Sequence, residues 1–135
     1  SMNPILNWCA RASLAGACLL AAPLALADAV PASVSPAVAA KLAWRGEAPD
    51  MAVPEIRVAR KGGFLSVQSD LRNGGEKDQA LYYRYRWLDQ HGNQVGDGDA
   101  WKQLNLFAKA QQTLKGTAPH LSVADFRLEL SFETP

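Results

Sequence analysis

Leu81-Tyr-Tyr-Arg-Tyr-Arg-Trp-Leu-Asp-Gln-His-Gly92 is the stretch that decides the fold. Leu81, Tyr83, Tyr85 and Trp87 fall at every second position, so they share one face of an extended strand. Tyr82, Arg84 and Arg86 share the other. That alternation describes a half-buried sheet, with a packed aromatic core on one side and a polar surface on the other. Asp89-Gln-His-Gly92 suits a type I turn with Gly92 in the left-handed region, which closes the strand.

The same period extends outward from this stretch. Downstream, Asn93 to Val95 begins a return strand and Gly96-Asp-Gly-Asp99 forms a loop. Trp101, Leu104 and Leu106 mark a further strand or two, and Gln111 to Leu114 another. After a break at Ala118-Pro119-His120, the last strand alternates Ala124, Phe126, Leu128, Leu130 and Phe132 with Asp125, Arg127, Glu129 and Ser131. Upstream, Ile56 and Val58 alternate with charges, and Gly62-Gly63 makes a turn. Leu65, Val67 and Leu71 line the next strand, which ends at Asn73-Gly74-Gly75. Short strands with turn signals roughly every ten residues indicate a sandwich. The expectation is an all-β, immunoglobulin-like β-sandwich of about seven antiparallel strands over residues 55–135.

Residues 28–54 are rich in Ala, Pro, Val and Ser, with Pro31, Pro36, Pro49 and Pro54 spaced through them. Proline at such spacing opposes long helices and central strands. This segment reads as a tether, with one short element around Ala37 to Trp44 that is either a helical turn or an edge strand. Before it, Ser1 reads as a tag scar. Residues 2–27 read as a secretory signal: Arg11, then an apolar run from Ala12, then Ala25-Leu-Ala27 as a cleavage site. The run is short of the roughly 20 residues a spanning helix needs. Cys18, preceded by Leu14-Ala-Gly-Ala17, offers a second outcome, lipid attachment at that cysteine. Its leucine stands one place further from the cysteine than a lipobox has it. The residues favour simple cleavage and a periplasmic mature domain, with acylation as the alternative.

Both cysteines, Cys9 and Cys18, lie in this leader, so the mature domain has no thiol for a disulfide or a metal. With Arg11 set aside, 13 basic residues face 13 acidic ones. That balance makes no electrostatic case for nucleic acid or an anionic membrane. His91 and His120 sit in turns without flanking ligands. Asp89, Asn93, Asp97 and Asp99 crowd one hairpin end, but the calcium-loop spacing fails at Ala100, and turn chemistry is the simpler reading. No nucleophile elbow, zinc-binding helix or phosphate loop occurs. The expectation is a protein that is not an enzyme and takes no cofactor.

Tyr83-Arg-Tyr-Arg-Trp-Leu-Asp89 with Gly92 resembles the YcfL-like family of small periplasmic lipoproteins. Asn73, Trp101, Ala118-Pro119 and the final Ala124-Asp-Phe-Arg-Leu-x-Leu130 strand extend the resemblance, which covers roughly residues 64–132. It implies an envelope location and a β-sandwich, and it brings no activity or catalytic residue. Members usually carry an undisplaced lipobox, from which this chain departs.

The polar face of the opening strand carries the functional expectation. Tyr82, Arg84 and Arg86 project together, and Arg127 and Glu129 hold the matching positions on the last strand. Tyr and Arg are enriched at interface hot spots. If the two strands are neighbours, they form a surface for another envelope protein. The bland alternative has both arginines pairing with acidic neighbours. Trp44 and Trp101 read as core or edge-covering residues. A different class of function, a small-ligand or lipid carrier, would require a cavity lined by Tyr83, Tyr85, Trp87 and Phe126.

Overall fold

The computed structural model describes residues 36–135. The expected signal segment, Cys18 and the first part of the tether lie outside the described residues. The opening stretch forms β4 (Gln79–Asp89), the spine of a four-stranded sheet. The other strands of that sheet are β1 (Leu42–Arg45), β5 (Lys102–Leu106) and β7 (Val123–Ser131), in the order β1-β7-β4-β5. A three-stranded sheet packs against it, built from β2 (Met51–Lys61), β3 (Phe64–Asn73) and β6 (Gln111–Thr117) in the order β2-β3-β6. One helical turn, α1 (Pro36–Ala39), precedes β1. The fold is an all-β sandwich.

Alternation determines which side chains fill the interior. Leu81, Tyr85 and Trp87 of β4 are buried, as are Phe126, Leu128 and Leu130 of β7. Leu65, Val67 and Leu71 of β3 oppose them. The Tyr85 and Trp87 rings stack at 5.3 Å, and Phe126 meets Tyr85 edge-on at 6.0 Å. The Tyr85 hydroxyl donates to the Leu114 carbonyl at 2.8 Å and bonds to the Ser69 hydroxyl at 2.8 Å, linking the two sheets. These two bonds satisfy polar groups that would otherwise be costly to bury.

Turn chemistry falls where the residues indicate it. Gly62 and Gly63 both adopt positive φ between β2 and β3, as a two-residue hairpin turn requires. Gly92 is left-handed, with φ of 84°. Asp89 organises that turn: its Oδ1 accepts from the His91 amide at 2.8 Å and the Asn93 amide at 2.9 Å. These backbone donors, Asn93 foremost, hold the Asp89 carboxyl below its ordinary value.

Three expectations are corrected. The sandwich does not start at residue 55. The segment 28–54 contributes both α1 and the whole of β1, and β2 begins at Met51, where Met51 and Val53 are core residues. Pro54 did not prevent this. β2 is an edge strand, and Pro54 falls at an irregularity between Ala52 and Glu55 where the register with β3 shifts. A missing N–H is tolerated there. Second, the strands are not all antiparallel, since β1 runs parallel to β7 with Leu42 opposite Leu128 and Trp44 opposite Leu130. Third, Asn93 to Val95 forms no return strand. It makes a single bridge, Gln94 to Leu88, flanked by the Asp89 amide on the Asn93 carbonyl and the Val95 amide on the Trp87 carbonyl, before Gly96 and Gly98, both at positive φ, turn the chain out of strand geometry.

Candidate functional site

β4 and β7 are antiparallel neighbours, with Arg84 opposite Glu129 and Arg86 opposite Arg127. Tyr82, Arg84, Arg86, Arg127 and Glu129 therefore share the outer face of the four-stranded sheet. Arg45 joins them from β1, because it lies opposite Ser131, two residues beyond Glu129. The face carries four arginines and two carboxylates, Asp125 and Glu129.

Each carboxylate is already engaged. Arg84 Nε donates to Glu129 Oε1 at 2.6 Å, and Arg86 Nε stands 3.3 Å from Glu129 Oε2. One carboxylate thus serves two guanidinium groups. Asp125 accepts from Lys41 Nζ at 2.8 Å and from Arg127 at 3.1 Å. Burial works to raise the Asp125 carboxyl, but the bonds from Lys41, the Phe126 amide and Arg127 outweigh it and leave it below its ordinary value. The paired arginines of the bland alternative are therefore real, but the pairing is partial. Arg84 bonds through its Nε alone, Arg86 Nε is buried near Glu129 without a hydrogen bond, and among the described residues the terminal nitrogens of both take no hydrogen-bond partner.

Trp101 completes the arrangement. The Arg84 guanidinium lies over its ring, 4.4 Å from the centroid, and Arg45 approaches to 5.9 Å. A cation held over an indole is attracted by the ring quadrupole. Arg84 is thus fixed on two sides, by Glu129 along the sheet and by Trp101 across it. Its Nη pair is left without a hydrogen-bond partner among the described residues, beside the loop at Gly98. Periodicity could not have found this shelf, because Trp101 precedes β5 in a loop. The role of Arg45 depends on a parallel pairing that its own residues do not announce.

The residues of the carrier reading are placed differently. Tyr85, Trp87 and Phe126 pack on one another, and Tyr83 is only half-buried. The backbone of Gly116 lies directly under the Tyr85 ring. Trp87 Nε1 donates to Asp99 Oδ1 at 3.0 Å, so the loop after β4 seals the core at that end. Among the described residues, no three His, Cys, Asp or Glu side chains gather where a metal ion could be held. Asp89 serves its turn and Asp99 the indole.

A second surface lies at the open side of the sandwich. Trp44, 41% exposed, stacks on Phe132 with ring centroids 6.1 Å apart. Beside it runs a shallow groove of about 320 Å³, lined by Trp44, Gly46, Glu47, Ala48, Pro49 and Met51. Trp44 thus covers an edge of the sandwich, because β1 is the edge strand of the four-stranded sheet.

Two solved structures share the architecture. A protein from Campylobacter jejuni, cj0090, superposes with a TM-score of 0.59 at 22% identity, covering 67% of this chain and 96% of that one. A DUF1425 family member from Shewanella sp. pv-4 superposes with a TM-score of 0.55 at 27% identity, covering 59% of this chain and 75% of that one. No protein with a curated description matches the chain. The profile of one sequence family matches residues 46–132, from just after β1 to just past β7. By that match, which takes in β2 to β7 and the arginines of β4 and β7 but not β1 or Arg45, the chain belongs to the family described as "Protein of unknown function (DUF1425)".

Proposed function

We propose that this protein is a non-catalytic interaction module of the periplasmic cell envelope, and that it binds another protein through the outer face of its four-stranded sheet. The observation that carries the reading is Arg84. It is fixed between Glu129 and Trp101, with its terminal nitrogens free of hydrogen-bond partners among the described residues, and Arg86, Arg127 and Arg45 stand on the same face. Interface hot spots favour such pre-positioned arginine beside aromatic side chains, because little side-chain freedom remains to be lost on binding. The envelope location rests on the leader read in residues 2–27 and on the resemblance to the YcfL-like family. The domain is either released by cleavage after Ala27 or tethered by lipid at Cys18, and mass spectrometry of the mature N-terminus separates the two.

The test of the interaction face is crosslinking in intact cells followed by recovery of partners. The wild-type chain is compared with Arg84→Ala/Arg86→Ala. A specific envelope protein is expected to be recovered with the wild type and lost with the variant. Equal recovery by both would remove this face from consideration.

A further inference from the structure

Resting on that reading of the outer face, we infer that the partner presents an extended acidic segment, with carboxylates at alternate positions, to Arg84 and Arg86. The charge count on the face is the first argument. Arg45, Arg84, Arg86 and Arg127 outnumber Asp125 and Glu129, and both carboxylates already have partners. The face therefore holds an excess of positive charge that the chain as a whole does not have.

Geometry narrows the ligand. Glu129 occupies the Nε edge of Arg84, leaving the Nη1/Nη2 edge for a second carboxylate. A guanidinium fork binds a carboxylate through two parallel N–H···O bonds. Arg84 and Arg86 stand two residues apart on β4, roughly 6.8 Å along the strand. An extended peptide repeats its side chains on one face at the same interval. Two carboxylates at alternate positions can thus meet two guanidinium groups without strain in either chain.

The same observations disfavour other anions. Among the described residues, the large apolar side chains that are exposed are Trp44, Val58, Phe107 and Leu121. None lies on this face, where Trp101 and Tyr82 are half-buried and Trp101 is stacked against Arg84, so no fully exposed apolar side chain is offered to a lipid layer. A long polyanion would be drawn by net charge, and here basic and acidic residues nearly cancel.

The probe is a dye-labelled peptide of alternating Glu and Thr, titrated into the chain by fluorescence anisotropy, with a Gln-for-Glu peptide as its neutral counterpart. The acidic peptide is expected to bind, and the neutral one to bind at least about tenfold more weakly. Raising salt from about 50 to about 300 mM should weaken the acidic peptide severalfold. R84Q/R86Q should weaken it about tenfold. K61Q/K115Q, which removes the same charge from the three-stranded sheet, should change it less than about twofold. R84K/R86K keeps the charge and the fold but loses the planar fork, and should still bind severalfold more weakly. Equal weakening by the two Gln pairs would show a bulk charge effect and overturn the inference. So would binding to phosphatidylglycerol vesicles or polyphosphate with none to the peptide. If R84A/R86A loses its crosslinked envelope partner while the acidic peptide fails to bind, the interaction face stands and the acidic partner falls. Unchanged recovery of that partner would instead sink the face itself.

Discussion

The ring of Tyr85 packs closely against the backbone of Gly116. A methyl group built at Gly116 would fall closer to the Tyr85 Cδ2 and Cε2 atoms than any real Cβ contact. The contact joins β4 to β6 across the sandwich. Both elements depend on it, since Tyr85 also donates to the Leu114 carbonyl of β6. Gly116→Ala is expected to destabilise the domain by about 1–3 kcal/mol through overpacking. Thermal unfolding measures this, and an unchanged midpoint would show that the ring can move aside.

Trp87 is fully buried, stacks on Tyr85, and donates to Asp99. Trp87→Ala should cost about 3–5 kcal/mol, a large share of the stability of a domain this size. Denaturant unfolding gives the value. A loss below 1 kcal/mol would mean that the Trp87 site collapses around the missing ring.

Burial pushes the Tyr85 hydroxyl up to about 12, against the lowering effect of its bond with Ser69. The folded state therefore retains this proton more tightly than the unfolded chain, where tyrosine titrates near 10. Its contribution is fully present below about pH 10 and is lost as pH rises through about 12, by about 2–3 kcal/mol in total. Tyr85→Phe should flatten the alkaline limb of a stability-versus-pH curve. It should also cost about 1 kcal/mol at neutral pH, by leaving Ser69 and the Leu114 carbonyl with fewer partners. An alkaline limb identical in both proteins would assign that limb to other groups.

On the outer face of the three-stranded sheet, Asp70 receives two bonds from Arg57, at 2.8 and 2.9 Å, and one from Thr113 at 2.8 Å. The Arg57 bonds, then Thr113, hold its carboxyl below the ordinary aspartate value. A depressed carboxyl contributes stability above its unfolded value, near pH 4, and loses it as pH falls through the folded one. Asp70→Asn should lower stability at neutral pH and reduce its fall on acidification. The urea midpoint measured from pH 7 down to pH 2 tests this, and parallel curves for the two proteins would contradict it.

Much of the sandwich was legible in local pattern. The alternation in β3, β4 and β7 correctly assigned the core positions Leu65, Val67, Leu71, Leu81, Tyr85, Trp87, Phe126, Leu128 and Leu130. Gly62-Gly63 and Gly92 marked turns whose positive φ angles only glycine adopts readily. Pro54 misled, because a proline argues against a strand only where its N–H would be needed. An edge strand with a shifted register does not need it.

The face that carries the proposed function divides in the same way. Tyr82, Arg84 and Arg86 on one surface follow from a period of two, which the residues of β4 determine by themselves. That period cannot say which strand lies alongside. Only the tertiary pairing of β4 with β7 sets Glu129 opposite Arg84 and Arg127 opposite Arg86, and only the parallel docking of β1 brings Arg45 to the same face. The indole of Trp101 under Arg84 depends on how the loop before β5 returns across the sheet. Side-chain direction is a local property of the backbone and can be read along the chain. Charge pairing and ring contact join residues far apart in sequence, so the register of the folded sheets had to decide them.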